Sequence, residues 1–230
     1  MSEIPDPRRI VSAGYDYAGR AYAAARPDDP EAPELLGRLM AGLEGRARVL
    51  DAGCGAGVPV ARALAARHEV LGVDISPVQV ALASENVPEA TFQIGDISAL
   101  DLADASFDAV VSYYAIIHVP REDHERTLAG FRRVLVPGGL LLVCMGNGDD
   151  PGSVEDGFFG TTMYWSHFAG PANVAMVQRS GFEVLSHEEV PDPVDGGSHL
   201  FVLARSVCHH QSSDCWRYRC PDRSSPSATG

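Results

Sequence analysis

A glycine-rich stretch carries the strongest chemical signal in the sequence. VLDAGCGAG, residues 49–57, is an apolar run that continues into Gly53, Gly55 and Gly57. Glycine has no Cβ, so a turn built on glycines lets the backbone approach a ligand closely. An apolar strand that passes through such a turn into a helix is typical of cofactor sites.

Acidic residues indicate which cofactor this turn fits. The dinucleotide fingerprint, G-x-G-x-x-G or A, would put its third small residue at Val58, which is too large for that position. Asp51 precedes the first glycine by two residues, where a carboxylate is poorly placed for a pyrophosphate. Asp74, 21 residues after Gly53, ends the next apolar run, and a carboxylate there can bind a ribose diol. Asp96 ends a third run and can reach the amine of an adenine. The pattern favours a nucleoside ligand without phosphate over NAD.

Strand-like and helix-like segments alternate around these residues, which predicts a parallel sheet with helices on both faces. Strands are predicted at 49–52, 70–73, 91–94, 107–112 and 140–145, and helices at 56–67, from 77 onward, at about 121–135 and at 171–180. Ser76 and Gln79 form a capping-box pattern at the start of one helix. Two further runs, 182–190 and 199–204, are expected to pair as antiparallel strands.

Two helices are predicted before the alternating region. Val11, Tyr15, Ala18 and Tyr22 lie on one face of the first, and Asp29 begins the second. We expect one domain over residues 1–205, with cap helices at 1–45 and a substrate lid loop at 146–170. The lid is expected to be a loop because its first half is rich in Gly and Asp.

Residues 206–230 are expected to form a disordered tail, because they lack an apolar period. The tail contains Cys208, His209, His210, Cys215 and Cys220. Their intervals do not match the usual zinc-ligand pairs, so no metal is expected.

Composition excludes several classes of protein. The net charge is −13 and all 18 basic residues are Arg, so the surface is expected to repel nucleic acid. No apolar stretch is long enough for a membrane span, and the first residues lack the apolar run of a signal peptide. The chain is therefore expected to be cytoplasmic, and monomer and homodimer both remain open.

Five stretches, taken in order, resemble one family. VLDAGCGAG, VLGVDIS, IGDIS, FDAVVS and VLVPGGLLLV are similar to the motifs of class I S-adenosylmethionine-dependent methyltransferases, over about residues 8–205. YYAIIHVPRE and MYWSHF resemble a bacterial small-molecule branch that includes natural-product enzymes. The resemblance implies a Rossmann-like, doubly wound α/β fold. Its seven-stranded sheet has six parallel strands and one antiparallel strand, with S-adenosylmethionine at the carboxyl ends of the early strands.

The resemblance also implies roles for individual residues. The residues expected to bind the cofactor are Tyr15, Asp51, Gly53, Cys54, Gly55, Asp74, Ile75, Asp96, Ile97 and Ser112. The residues expected to line the substrate pocket are Tyr22, Tyr113, Tyr114, Tyr164, Trp165 and His167. Asp51 would orient the methionine ammonium directly or through water. Cys54 is interpreted as a small filler residue rather than a nucleophile. His118 is either a general base or a residue that fixes its loop, and His199 is expected at the surface.

The predicted reaction is in-line transfer of the methyl group of S-adenosylmethionine to an O, S or N nucleophile of a small molecule, leaving S-adenosylhomocysteine. Three alternatives remain open. One is an S-adenosylmethionine-binding enzyme with non-methylating chemistry, such as a cyclase or a cofactor lyase. The others are a nicotinamide oxidoreductase and a non-catalytic binding module.

Overall fold

The computed structural model describes residues 6–25, 32–192 and 196–207. Within them, the chain forms a seven-stranded sheet and a separate two-stranded sheet. The strands are β1 (Arg48–Ala52), β2 (Glu69–Asp74), β3 (Thr91–Ile94), β4 (Phe107–Ser112), β5 (Leu135–Gly146), β6 (Asp150–Phe158), β7 (Thr161–His167), β8 (Phe182–Pro191) and β9 (Ser198–Ser206). The helices are α1 (Pro7–Ala25), α2 (Ala32–Ala41), α3 (Val60–Ala65), α4 (Pro77–Asn86), α5 (His124–Val134) and α6 (Gly170–Arg179).

The order of strands in the large sheet is β3-β2-β1-β4-β5-β9-β8. Pairs from β3 to β5 are parallel, whereas β9 runs antiparallel to both β5 and β8. Six strands therefore share one direction and one opposes them, which confirms the predicted fold class. The predicted antiparallel pairing of 182–190 with 199–204 is also confirmed, by β8 and β9.

The central strands are buried on both faces. Successive side chains point to opposite sides of the sheet, and apolar residues of helices cover each side. Val49 packs into the hydrophobic cluster that contains the apolar residues of α2 and α3, whereas Leu50 packs into the cluster that contains those of α5 and α6. Leu141 and Leu142 divide between the two clusters in the same way. This packing fixes the register of the central strands, and with it the positions of the residues at their carboxyl ends.

Several predicted bounds differ from the structure. The helix predicted at 56–67 begins only at Val60, because Gly55 and Gly57, with φ of 51° and 77°, keep the preceding residues in a turn. The helix predicted from about residue 121 begins with a 3-10 turn at Arg121–Asp123, before α5. The apolar run at 140–145 extends back to Leu135 as part of β5.

The prediction that residues 146–170 form a loop was wrong. The segment folds instead into β6 and β7, an antiparallel hairpin that pairs Ser153 with Trp165 and Val154 with Tyr164. Backbone hydrogen bonds across the hairpin explain why a stretch rich in Gly and Asp is not a loop. Met163 and Tyr164 of β7 pack against α1, and the carbonyl of Tyr164 contacts the turn that carries His118. The predicted tail lies outside the described residues from 208 onward.

No helix in the described part of the chain is long and apolar enough to cross a membrane.

Candidate functional site

A cavity lies at the carboxyl ends of β1 to β4, between this edge of the sheet and helix α1. Its described lining includes the cofactor-binding candidates Tyr15, Asp51, Gly53, Cys54, Gly55, Asp74, Ile75, Asp96 and Ile97, the pocket candidates Tyr22, Tyr113 and Tyr114, and the general-base candidate His118. Parallel strands end at one edge of a sheet, so motifs far apart in sequence converge there. The structure thus brings most of the predicted site residues together. Ser112 is the exception among the cofactor candidates: it is fully buried and does not line the cavity.

The glycine turn is tied to the neighbouring strand by its own backbone. The amides of Gly53 and Cys54 both donate to the carbonyl of Val73, at 2.7 and 3.1 Å. Gly53 has φ of 82°, and a Cβ at this position would overlap the side chain of Ala115. A Cβ on Gly55 would meet no atom within 4 Å. The first glycine is therefore required by packing, and the second exposes bare backbone to the cavity.

Asp51 is a buried carboxylate whose two oxygens have no hydrogen-bond partner in the described structure. Burial, together with the nearby charge of Asp74, raises the pKa of Asp51 from 3.8 to about 8. A buried acid is costly to ionise unless a cation or hydrogen-bond donors compensate it. An ammonium group placed in the cavity would supply both the charge and the donors. Asp51 therefore fits the amino group of a methionine moiety.

Asp74 organises the turn while facing the cavity. Its Oδ2 accepts from the amide of Gly55 and its Oδ1 from the amide of Ser76, each at 2.9 Å. Burial raises the pKa of Asp74, and the bonds from Ser76 and Gly55 oppose that effect. A carboxylate has about four acceptor positions, so these two bonds leave capacity for a ribose diol.

Only one of the two hydrogen bonds of the predicted capping box forms, because Asp74 takes the place of Gln79 in the other. Ser76 Oγ accepts from the amide of Gln79 at 3.1 Å, as predicted. The amide of Ser76, however, donates to Asp74 rather than to the side chain of Gln79. Gln79 instead lines the cavity and packs its side-chain amide on Gly19.

Asp96 belongs to an ion-pair network that sequence reasoning missed. Its Oδ2 accepts from Arg8 Nε at 2.7 Å, and its Oδ1 accepts from the amide and hydroxyl of Ser98 at 2.8 and 2.7 Å. Arg8 Nη2 also bonds Asp123 at 2.9 Å. Burial opposes ionisation of Asp96, but these bonds outweigh burial and lower its pKa. Asp96 is therefore held as a carboxylate, with acceptor capacity left on Oδ2.

Helix α1 covers the cavity through polar contacts along one face. Ser12 Oγ donates to the carbonyl of Ile75 at 3.2 Å, and Asp16 Oδ1 accepts from Ser76 Oγ at 2.6 Å. Arg8 and Tyr15 are seven residues apart and share this face, because seven residues are close to two helical turns. That spacing was the signal by which Arg8 could have been found.

His118 lies in a short 3-10 turn, with both ring nitrogens engaged. Nε2 is 2.8 Å from Tyr15 Oη, and Nδ1 is 2.8 Å from the backbone carbonyl of Tyr164. The ring also lies 4.4 Å from that of Trp165, centroid to centroid. His118 is thus held from α1 on one side and from β7 on the other.

Three predicted pocket residues on β7 do not line the cavity. Tyr164 is buried and its carbonyl accepts from His118. Trp165 packs against the same imidazole ring and donates to Glu155 at 3.0 Å. His167 is turned to the carbonyl of Gly148, at 2.9 Å. Tyr164 and Trp165 therefore contact His118 from outside the cavity, whereas His167 contacts no residue of its lining in these bonds.

Two further predictions concern buried groups. Cys54 is buried, and burial raises the pKa of its thiol, which disfavours the nucleophilic thiolate and agrees with a filler role. The expected surface position of His199 was wrong. His199 is buried on β9, with Nδ1 3.3 Å from Asp192 Oδ2, and its ring packs on that of Tyr114.

Comparisons with known proteins agree with this geometry. Residues 49–139 match the family model described as a methyltransferase domain. The trans-aconitate 2-methyltransferase of Variovorax paradoxus is 37% identical over 117 residues, which are 50% of this chain and 43% of that protein. The malonyl-acyl-carrier protein O-methyltransferase of Erwinia pyrifoliae is 36% identical over 136 residues, 59% of this chain and 50% of that protein. The chain thus spans about half the length of these curated relatives.

A solved structure extends the likeness to nearly the whole chain. The 1,6-didemethyltoxoflavin-N1-methyltransferase of Burkholderia thailandensis, with bound S-adenosylhomocysteine, aligns with a TM-score of 0.70 and 21% identity. The alignment covers 90% of this chain and 93% of that one. At 21% identity, this alignment shows that the two proteins share a fold.

Proposed function

Because the chain belongs to the class I S-adenosylmethionine-dependent methyltransferase family, we propose that it transfers a methyl group from this cofactor to a nucleophilic atom of a small molecule. The observation that carries the proposal is the pair of unpartnered, buried Asp51 oxygens beside the glycine turn. A pyrophosphate would bring more negative charge to this carboxylate. An ammonium group would compensate it, and this cofactor carries one.

The residues that hold the cofactor follow from the strand ends. Asp51 takes the ammonium, Asp74 the ribose hydroxyls, and Asp96 the adenine amine, with Ile97 against the ring. When bound, S-adenosylmethionine supplies a sulfonium methyl group, which is a strong electrophile. The protein then has to align the acceptor atom at about 3–3.5 Å and exclude water.

The cover formed by α1 supports a small acceptor. This helix is attached to the loops at the strand ends by hydrogen bonds of Arg8, Ser12, Tyr15 and Asp16. A bulky macromolecular substrate would therefore have to displace the helix. The aromatic walls formed by Tyr22, Tyr113 and Tyr114 suit an apolar or aromatic body. The net charge of −13 also disfavours nucleic acid as a substrate. The Erwinia relative is an O-methyltransferase by name, which supports oxygen as one candidate acceptor atom.

Calorimetry with S-adenosylmethionine, S-adenosylhomocysteine and NADH tests the proposal. We expect binding of the first two and none of NADH. Binding of none of the three would refute the cofactor site. Mass spectrometry of reactions with phenols, thiols, amines and carboxylates then looks for a mass gain of one methyl group. A bound cofactor that is cleaved, or a substrate that is rearranged without methylation, would favour non-methylating chemistry instead.

A further inference from the structure

The hydrogen bonds of His118 define which ring nitrogen carries the proton. A backbone carbonyl can only accept, so Nδ1, at 2.8 Å from the carbonyl of Tyr164, must be the donor. In the neutral ring Nε2 is then an acceptor, and the hydroxyl of Tyr15 donates to it at 2.8 Å. The tautomer is thus set by contacts from β7 and α1.

Tyr15 and His118, referred to below as the dyad, lie together at the wall of the cavity. Tyr15 is 9% exposed and His118 is 6% exposed, and both line the cavity. Their rings meet edge to face at 5.3 Å, and the ring of Trp165 lies tilted against the imidazole at 4.4 Å. A phenol oxygen that donates its proton keeps lone pairs that can accept another hydrogen bond. Tyr15 can therefore receive a proton at Oη while it gives its own to Nε2.

We propose that Tyr15 and His118 form a proton relay, in which Tyr15 Oη takes the proton of a substrate hydroxyl as the methyl group is transferred. The inference rests on the proposed methyl transfer. The substrate O–H bond breaks, its proton moves to Tyr15 Oη, and the proton of Tyr15 moves to His118 Nε2. The oxygen's electron pair forms the new bond to the methyl carbon, and the methyl–sulfur bond breaks with its pair remaining on sulfur. The resulting imidazolium donates from Nδ1 to the Tyr164 carbonyl and later loses its proton to water.

The residues that line the cavity around the dyad favour a hydroxyl over other acceptors of the methyl group. Thiolates and neutral amines need no relay, because they are nucleophilic without a base at neutral pH. A carboxylate would need a cation, and Arg8 is the only Arg or Lys among the described residues that line the cavity. Arg8 is already paired with Asp96 and Asp123. With Tyr22, Tyr113 and Tyr114 as apolar walls, the geometry points to a phenol-like hydroxyl on an aromatic body.

Nuclear magnetic resonance of the imidazole nitrogens tests the dyad without turnover. With S-adenosylhomocysteine bound, we expect His118 to be protonated at Nδ1 when neutral. Tyr15→Phe should shift the Nε2 resonance and leave the Nδ1 proton in place. Tyr17→Phe is the matched control, since Tyr17 lies on the same helix and is 72% exposed. A neutral ring protonated at Nε2 would overturn the relay.

Rates with defined acceptors test the chemistry. The acceptors are 4-methylphenol, 4-nitrophenol, thiophenol and benzoate, assayed at a pH of about 8, where the nitrophenol is largely ionised and the methylphenol is not. Loss of a general base costs about 10²–10⁴-fold. We therefore expect Tyr15→Phe and His118→Ala to lower methylation of 4-methylphenol by at least about 100-fold. Methylation of 4-nitrophenol should fall by less than about tenfold, and Tyr17→Phe should affect neither acceptor.

Equal losses on both phenols, or methylation confined to thiophenol or benzoate, would overturn the relay. If none of the four acceptors reacts, the nitrogen resonances of the His118 imidazole decide whether the relay stands. Protonation at Nδ1 with a Tyr15-dependent Nε2 resonance supports the relay, and the opposite tautomer overturns it. Failure of the proposed function would be recognised separately, as absence of S-adenosylhomocysteine binding in calorimetry, and would overturn both.

Discussion

Binding of S-adenosylhomocysteine should release a proton, and Asp51 should be its source. With a pKa of about 8, Asp51 is about 90% protonated at pH 7 in the ligand-free protein. An ammonium placed against it favours the carboxylate, so binding should expel that proton. We expect release of about 0.9 proton at pH 7, close to one at pH 6, and about 0.1 at pH 9.

The same linkage makes affinity depend on pH, with a defined sign. The pKa of Asp51 in the folded protein lies above its ordinary 3.8, so protonation competes with the ligand as pH falls below about 8. The ionised fraction falls from about one half at pH 8 to about 1% at pH 6, which weakens binding by about fifty-fold. Without ligand, ionisation of this group should also lower stability as pH rises from about 4 to 8.

Calorimetry in buffers of different ionisation enthalpy measures the released proton directly. Asp51→Asn should abolish the release and the pH dependence of affinity, apart from any change in the ligand's own amino group. Asp101→Asn is the matched control, because Asp101 is exposed. If the wild type and Asp51→Asn release the same number of protons, or if affinity is independent of pH between 6 and 8, the assignment of the ammonium to Asp51 is wrong.

Four further substitutions, one of them a control, probe the site and the core. Asp74→Asn should weaken S-adenosylhomocysteine binding by about 1–3 kcal/mol, because one charged acceptor of the ribose is lost; an unchanged dissociation constant in calorimetry would remove Asp74 from the ribose. Gly53→Ala should abolish cofactor binding, because its Cβ would overlap Ala115. Gly45→Ala, which has φ of 61° and open space, should cost only the strain of that backbone conformation, about 1–2 kcal/mol in urea unfolding. Phe131→Ala should lower the free energy of unfolding by about 3–5 kcal/mol, since Phe131 is fully buried between α5 and the sheet. A loss below 1 kcal/mol would contradict that packing.

The strand–helix alternation and the acids at the strand ends could be predicted from the sequence, because both are local signals. Apolar runs, the glycine turn and the Ser76 cap depend on neighbouring residues, and these hold in the structure. Once a parallel sheet is inferred, Asp51, Asp74 and Asp96 must meet at one edge. The position of the cavity at this edge followed from that topology.

The hairpin of β6 and β7 could not be predicted in the same way. Gly and Asp in residues 147–157 are typical of loops, and most of β6 is exposed, so no apolar period marks it as a strand. Its pairing depends on a partner, β7, whose aromatic and β-branched residues were the available signal.

The sequence alone predicted the acids at the strand ends and most of the aromatic groups of the site, whereas the tertiary structure added Arg8 and decided how the groups are paired. Arg8 meets Asp96 across 88 residues, and the Tyr164 carbonyl meets His118 across 46. Neither partner can be read from local periodicity, because each depends on where α1 and β7 pack over the sheet. The same packing sets the tautomer of His118 and places Tyr15 beside it at the wall of the cavity. The proposed relay through Tyr15 depends on these long-range contacts, since a hydrogen bond forms only where both groups are brought within about 3 Å.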